Sequence, residues 1–248
     1  MKKLLYIGGV LLVVIAIGLY FLFSSLNSIV KAAVEKVGSD ATQAQVRLKE
    51  VDIQITSGKG AMRGLTVGNP SGFKTERAFS LGEISLQVEV GSVTKDTIVI
   101  KEIVIAAPEV TYELASGGSN IDALQRNVNA YTGGGKAEKS KGSGEGGKKL
   151  VIENLYVRNG KVSVSAIALG GKTMTTPLPD IHLTNIGKQS GGATAGQVTQ
   201  QVLSAIGQSA TKAATSLPDV GKLVGSAKES ATGAAKGAGE GLKKLFGK

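Results

Sequence analysis

The sequence predicts a mainly β protein of the α+β class: an N-terminal transmembrane helix, a curved antiparallel sheet with one apolar face and a short helix, and a tail that is amphipathic or disordered. Three observations support this. An uncharged, mainly apolar stretch runs from Leu4 to Phe23. Apolar and polar residues then alternate over much of residues 45–187, as expected for half-buried strands. Residues 188–248 are rich in Ala, Gly, Ser, Thr and Lys.

The first element, residues 1–25, is predicted to be an uncleaved signal anchor. Its apolar stretch has 20 residues, and at about 1.5 Å per helical residue it would span roughly the 30 Å of a bilayer core. Lys2 and Lys3 precede this stretch and favour a cytoplasmic N-terminus. The rest of the chain is therefore expected outside the cytoplasm.

The second element, residues 26–44, is predicted to be a helical stalk that joins the anchor to the sheet. Leu26, Ile29, Ala33 and Val37 keep a helical spacing, and Gly38 follows as a helix stop.

The third element, residues 45–131, contains most of the predicted strands and the first two copies of a repeat. The apolar pattern Leu48-x-x-Val51-x-Ile53 recurs 52 residues later as Ile100-x-x-Ile103-x-Ile105, and again as Ile152-x-x-Leu155-x-Val157. The later two copies continue through Ala107-Pro108 and Asn159-Gly160, which predicts two hairpins. Between Ile100 and Ile103 the alternation slips by one residue, which predicts a bulge.

These strands are expected to place their apolar side chains on one face of the sheet. That face is either an ordinary core or a groove that shelters lipid chains. The candidate lipid-facing residues are Val51, Ile53, Ile84, Leu86, Val88, Ile103, Ile105, Val110, Tyr112, Leu155, Val157, Val162 and Val164.

The remaining elements follow from composition and spacing. Asn120 is a suitable N-cap for a short helix before a Gly/Lys linker at residues 132–149, and residues 150–187 form a second β segment. The tail, residues 188–248, has a shallow stripe of Val and Ala but many glycines, so it is expected to fold only against a surface. Lys243, Lys244 and Phe246 are candidate contacts with a membrane surface.

Charge and residue types limit the function classes. The net charge of +10 lies mainly in the anchor flank, the linker and the tail, so we expect contact with anionic lipid headgroups and no nucleic-acid partner. The chain has no cysteine and one histidine, His182, two positions after Asp180. We expect no enzyme, no metal site and no cofactor, and we interpret His182 as structural.

Three short motifs resemble the N-terminal region of AsmA-like proteins. They are Gly64-Leu65-x-Val67-x-Asn69-Pro70-x-Gly72-Phe73, Pro108-x-Val110-x-Tyr112, and Ser119-Asn120-x-x-Ala123-Leu124. The resemblance covers residues 1–131 well, residues 150–187 loosely and the tail not at all. It implies a single-pass inner-membrane protein of a Gram-negative envelope, mostly periplasmic, in a family linked to outer-membrane biogenesis. Larger relatives are thought to move phospholipid along an apolar groove, and this chain lacks their later repeats.

Within the Asn69–Gly72 segment the residue types favour a turn, and Phe73 is expected to fold back onto the apolar face.

Two functional hypotheses follow. In the first, the protein is an envelope-biogenesis module whose apolar sheet face shelters or transfers phospholipid. In the second, it is a structural or adaptor protein of the envelope, with a closed apolar core and a tail that binds other envelope proteins. The apolar pattern is the same in both.

Overall fold

The computed structural model describes residues 25–115, 118–133, 148–166, 173–218 and 220. Helix α1 covers residues 25–42. The strands are β1 (Val46–Arg47), β2 (Glu50–Gln54), β3 (Lys59–Gly68), β4 (Arg77–Val88), β5 (Thr97–Ala106), β6 (Glu109–Ala115), β7 (Gly118–Ser119), β8 (Lys149–Arg158), β9 (Gly160–Ala166), β10 (Thr173–Leu178) and β11 (Ile181–Ile186). Helix α2 is Asn120–Gly133 and helix α3 is Ala195–Thr215.

All eleven strands belong to one sheet that curls into a half-barrel. Strand β4 pairs with β3 along one side, and along the other with both β5 and β6. The pairs Ile84–Ile105 and Phe79–Val110 keep the same register, so β5 and β6 run in one direction as a single bent strand. Two further bent strands form in the same way. The pairs Gly160–Leu178 and Val157–Ile181 also keep one register, so β8 continues into β9 and β10 continues into β11.

The 52-residue spacing between the second and third repeat copies is the register of two parallel ladders, whereas the first copy, on β2, pairs with β3. Ile105 of β5 lies opposite Val157 of β8, and Val110 of β6 lies opposite Val162 of β9. The predicted hairpins at Ala107-Pro108 and Asn159-Gly160 are therefore wrong, and the sheet is mixed rather than antiparallel. Ala107 (φ 47°) and Asn159 (φ 57°) have left-handed backbones, and they turn a corner in a strand without reversing it.

The corners of neighbouring strands are joined by backbone hydrogen bonds. The N–H of Ala107 donates to the carbonyl of Arg158 at 2.8 Å, and the N–H of Lys161 donates to the carbonyl of Pro108 at 2.9 Å. Gly160 lies between Pro108 and Leu178, where an added Cβ would come within 2.8 Å of a Leu178 methyl carbon. Stacked corners of this kind bend the whole sheet at one level, which produces the curl.

The bulge predicted in the second repeat copy is confirmed. Gln87 pairs with Glu102, and its neighbour Val88 pairs with Ile100, so Lys101 is the extra residue. This residue returns Ile100 to the apolar face together with Ile103, although their spacing is odd.

The parallel ladders join segments that the sequence separates. Residues 45–131 and 150–187 contribute to one sheet through the pairing of β5 with β8. Parallel neighbours require a crossover connection, and α2 is the helix of that crossover. Helix α3, within the segment assigned to the tail, packs on α2 and on the sheet, and its Ile206, Ala210 and Ala214 are buried in the core. Part of the predicted tail is thus core.

Candidate functional site

The apolar face predicted from the sequence exists as continuous rows of side chains across the sheet. Directly opposite residues on paired strands share a face. One row crosses six strands as Val51, Met62, Ile84, Ile105, Val157 and Ile181. The next row is Ile53, Gly60, Leu86, Ile103, Leu155 and Leu183. A third row, beyond the corners, is Val46, Val67, Phe79, Val110 and Val162.

The candidate lipid-facing residues differ in burial. Nine of them are buried: Val51, Ile84, Ile105, Val110, Tyr112, Leu155, Val157, Val162 and Val164. The other four are half-buried: Ile53, Leu86, Val88 and Ile103. We refer to these four as the half-buried strip. Ile53 and Leu86 lie on either side of Gly60, which has no side chain to cover either of them.

Two helices cover the β6, β9 and β10 part of the apolar face. Helix α2 contributes Ile121, Leu124 and Val128, which are at most 1% exposed, and α3 crosses α2 at Gly207. Helix α3 contacts β6, β8, β9, β10 and β11, and α2 contacts β6 and β7. Val110, Tyr112, Val162 and Val164 are therefore in a closed core. The half-buried strip lies on β2, β4 and β5, beside the strands that these two helices contact.

The three motifs at residues 64–73, 108–112 and 119–124 meet in one hydrogen-bonded cluster. The Asn120 side-chain amide donates to the Asn69 side-chain oxygen at 2.7 Å and to the carbonyl of Thr111 at 2.8 Å. Its oxygen accepts from the N–H groups of Glu113 and Ile121, each at 2.9 Å. All four hydrogen-bonding positions of this fully buried amide are thus occupied.

The N-cap of α2 is Ser119 rather than the predicted Asn120. The Ser119 hydroxyl accepts from the N–H of Asp122 at 3.1 Å and donates to its carboxylate at 2.7 Å. Asn120 instead joins α2 to the loop between β3 and β4. Phe73 of that loop is only half-buried, and Phe79 is the phenylalanine that enters the core.

Glu113 is the buried acid of this cluster. Its carboxylate accepts from the N–H of Lys74 (2.7 Å), the N–H of Thr75 (2.8 Å) and the Thr75 hydroxyl (2.5 Å). Burial raises the pKa of Glu113, but these hydrogen bonds outweigh it, so the pKa lies below its usual value. On the strand residue before it, burial raises the pKa of Tyr112. The sequence pattern placed Glu113 on the polar face and gave no sign that the loop covers it.

Helix α1 protects the edge of the sheet at β1. The carboxylate of Glu35 accepts from the N–H of Leu48 at 2.8 Å, and the hydroxyl of Ser39 accepts from the N–H of Val46 at 2.9 Å. The Lys31 ammonium donates to the carbonyl of Lys49 at 3.1 Å. These side chains replace a neighbouring strand, which blocks pairing with a second chain at this edge.

The opposite face of the sheet is polar. Arg63 pairs with Glu83 at 2.9 Å and with Glu50 at 3.4 Å beside an open cleft of about 290 Å³ that also contains Asp52 and Glu102. The mixed charges and open shape of this cleft do not define a ligand. Among the described residues, no group of three or more His, Cys, Asp or Glu side chains could hold a metal ion.

His182 belongs to a cross-strand stack on this polar face. Its ring lies on Tyr156 with centroids 4.2 Å apart, and the Arg158 guanidinium is 4.3 Å from the Tyr156 ring centre. The imidazole Nε2 is 3.0 Å from the side-chain oxygen of Asn154. Asp180 accepts from the N–H of Asn159 at 3.1 Å, and the hydrogen-bond partner of His182 is Asn154 rather than Asp180.

The membrane-associated candidates lie beyond the described part of the chain. These are the predicted anchor, residues 4–23, and the tail residues Lys243, Lys244 and Phe246. In the portion that the structure describes, no helix is both long and apolar enough to cross a bilayer.

Comparisons of the chain with protein-family models, with curated proteins and with solved structures give no match. The AsmA-like resemblance accordingly stays a prediction based on the motifs.

Proposed function

We propose that this chain is an inner-membrane-anchored periplasmic protein of envelope biogenesis, and that the half-buried strip shelters an acyl chain of a phospholipid. The support from the sequence is the apolar stretch at residues 4–23 and the AsmA-like motifs. The observation on which the proposal depends is the strip itself: Ile53, Leu86, Val88 and Ile103 continue the rows of a closed core but keep part of their surface accessible.

A strip of this kind suits an acyl chain better than a polar ligand. Apolar surface gains roughly 25 cal/mol for each Å² removed from water, whichever apolar group covers it. The strip is bordered on the same face by Met62 and Leu155, so an acyl chain lying along these rows would have apolar side chains as its neighbours. The polar residues of these strands, such as Ser85, project from the opposite face.

The test is site-specific photo-crosslinking in cells that express the full chain. A photoreactive amino acid replaces Leu86 in one variant and Ser85 in a matched control, because these neighbours point to opposite faces of β4. We expect phospholipid adducts, identified by mass spectrometry, at position 86 and not at position 85. Equal adduct yields at the two positions, or none at position 86, would contradict the proposal.

One observation favours a second candidate function, that of a structural or adaptor protein. Nine of the thirteen candidate residues are buried, as expected if the face is the ordinary core of a structural or adaptor protein. In that case position 86 would give adducts only with protein. The test must use the whole chain, because α3 is part of the core and a fragment ending at residue 187 would lack it.

A further inference from the structure

We propose that one end of the sheet is a docking surface for the headgroup layer of an anionic bilayer. This end, which we call the rim, consists of the turn at residues 55–59, the loop at residues 89–96, and Lys148, Lys149 and Lys188. The inference rests on the membrane anchor of the proposed function and adds a second, peripheral contact with the same membrane.

The parts of the rim are held side by side by hydrogen bonds. The N–H of Val88 donates to the carbonyl of Gly58 at 2.7 Å, which joins the 55–59 turn to the end of β4. The Lys148 ammonium donates to the carbonyl of Val93 at 2.7 Å, which joins the start of β8 to the 89–96 loop. The segment after β11 pairs with the start of β8 through an isolated bridge. The rim is therefore one continuous surface.

Three large apolar side chains project from the rim into solvent. Ile55 is 43% exposed, and Val90 and Val93 are each 46% exposed. An added Cβ at Gly58 would come within 2.9 Å of a Val90 methyl carbon, so the two turns that carry these side chains are in contact. Surface turns are usually polar, and neighbouring exposed apolar side chains indicate a surface that is covered by a partner.

The rim is also basic. Its two carboxylates, Glu89 and Asp96, are outnumbered by five exposed lysines: Lys59, Lys95, Lys148, Lys149 and Lys188. None of these lysines forms an ion pair with another described residue. Apolar side chains surrounded by ammonium groups match the interface of an anionic bilayer, where the first enter between headgroups and the second meet phosphates.

Helix α1 orients the rim toward the predicted anchor. Successive turns of the helix, at Ser39, Glu35 and Lys31, bond to successive points from β1 to the residue before β2. Toward its N-terminus α1 therefore runs in the direction of the rim. From Lys31 back to residue 25 the helix covers about 9 Å, whereas from Lys49 to the end of β2 the strand covers roughly 16 Å. The rim thus reaches at least as far toward the bilayer as residue 25, which lies two positions after the predicted anchor.

The chain has no cysteine, so a nitroxide label can be attached to one introduced thiol. The full chain is reconstituted in nanodiscs of phosphatidylglycerol and phosphatidylcholine in equal parts. The label is placed at Ile55→Cys or, as a control in an exposed loop at the other end of the sheet, at Ser71→Cys. Electron paramagnetic resonance measures how often the label collides with lipid-soluble oxygen and with a water-soluble nickel chelate. We expect the oxygen-to-nickel collision ratio to be at least about fivefold higher at position 55 than at position 71.

Charge reversal tests the contribution of the lysines. Lys95→Glu with Lys188→Glu reverses two charges of the rim, and Arg126→Glu with Lys212→Glu reverses two exposed charges on α2 and α3. One lysine near an anionic membrane strengthens the attraction about fivefold. The rim pair should therefore lower the collision ratio at position 55 to the value at position 71, while the control pair leaves it unchanged. Nanodiscs of phosphatidylcholine alone should lower the ratio in the same way.

Three results would overturn the docking. The first is an equal collision ratio at positions 55 and 71 in the anionic nanodiscs. The second is a high ratio at position 55 that neither the rim substitutions nor neutral lipid changes. The third is a label that is protected from the nickel chelate in native membranes but not in nanodiscs, which would assign the rim to a protein partner. None of them affects the phospholipid adducts expected at position 86, which test the strip separately. A chain that does not stay with the bilayer at all would overturn the anchor and the docking together.

Discussion

Asn120 and Asn69 are joined by a side-chain hydrogen bond of 2.7 Å although they lie 51 positions apart in the sequence. Through this bond the first residue of α2 holds the loop between β3 and β4, and Thr111 and Glu113 of β6 bind the same Asn120 amide. The Asn120 amide is completely buried, so its own donors and acceptors cannot turn to water instead. The cluster therefore fixes where α2 lies on the sheet.

An Asn120→Asp substitution should lower the free energy of unfolding by about 2 to 4 kcal/mol, because a carboxylate cannot donate to Asn69 and Thr111 and would face both of their oxygens. Asn129→Asp is the matched control on the exposed side of α2, since its remaining oxygen still accepts from Gln200. We expect a change within about 0.5 kcal/mol there. Denaturant unfolding of the full chain in detergent measures both, and equal effects would contradict the structural role of Asn120.

Glu113 should make the protein sensitive to acid. Its pKa is lower in the folded chain than in the unfolded one, so its stabilisation is complete above the unfolded pKa and is lost as the pH falls through the folded pKa. We expect the unfolding free energy to fall less steeply below about pH 4.5 in a Glu113→Gln variant than in the parent. At neutral pH this variant should be less stable, because an amide NH₂ cannot accept from Lys74 or Thr75.

The control for Glu113 is Glu109→Gln. Glu109 is exposed and pairs with Lys161 at 2.8 Å, and a surface ion pair of this kind contributes at most about 1 kcal/mol. A Glu113→Gln variant with the same pH profile as the parent would show that Glu113 gains nothing from ionisation in the fold.

The aligned corners should be sensitive to one added methyl group. In Gly160→Ala the new Cβ would lie 2.8 Å from a Leu178 methyl carbon and 3.0 Å from the Pro108 ring, so the corner must shift. We expect a loss of about 1 to 3 kcal/mol in unfolding free energy. Gly91→Ala is the control, because an added Cβ at Gly91 has nothing within 4 Å. Similar unfolding curves for the two variants would mean that the corners are not tightly stacked.

The corners also show why the sequence predicts the faces of the strands but not their partners. Alternation within each strand, combined with the predicted hairpin turns, places Ile105, Val110, Val157 and Val162 on one face, and that face is confirmed although the hairpins are wrong. Asn159-Gly160 has the residues of a tight hairpin turn, yet only Asn159 takes a left-handed backbone and the strand continues. Local turn chemistry is compatible with both outcomes, and the choice depends on pairing with β5 and β6, which are far away in the sequence.

The half-buried strip, too, could be predicted from the sequence only in part. Its residues follow from alternation, but their accessibility depends on where α2 and α3 lie. The sequence left the α3 segment open between an amphipathic helix and disorder, because Ala and Gly give it a weak apolar stripe, and it gave no sign that this helix enters the core. The buried carboxylate of Glu113 was also missed, since its strand position is polar and its partners come from a loop 38 to 39 residues away.

The predicted anchor has its own test. If residues 4–23 span the inner membrane with Lys2 and Lys3 in the cytoplasm, a reporter fused after Lys248 should be active in the periplasm. The full-length protein should also stay in the membrane fraction after a salt wash, since an apolar span does not depend on charge. Recovery of the full-length chain in the soluble fraction would contradict the anchor.

The lipid hypothesis is tested most directly by two substitutions that place the same negative charge on the apolar face, one at a fully buried position and one at a half-buried position. Val162 is 0% exposed in the closed core, so Val162→Asp should lower the unfolding free energy by about 3 to 5 kcal/mol.

At half-buried Leu86 the carboxylate can reach water, and we expect Leu86→Asp to cost less than about 2 kcal/mol. It should nevertheless reduce phospholipid adducts at a photoreactive amino acid placed at Ile103, which lies directly opposite position 86. Ser85→Asp on the polar face should leave those adducts unchanged. If Leu86→Asp instead destabilises the chain as much as Val162→Asp, and the parent chain has no lipid adducts, the strip belongs to a closed core and the adaptor function is the better explanation.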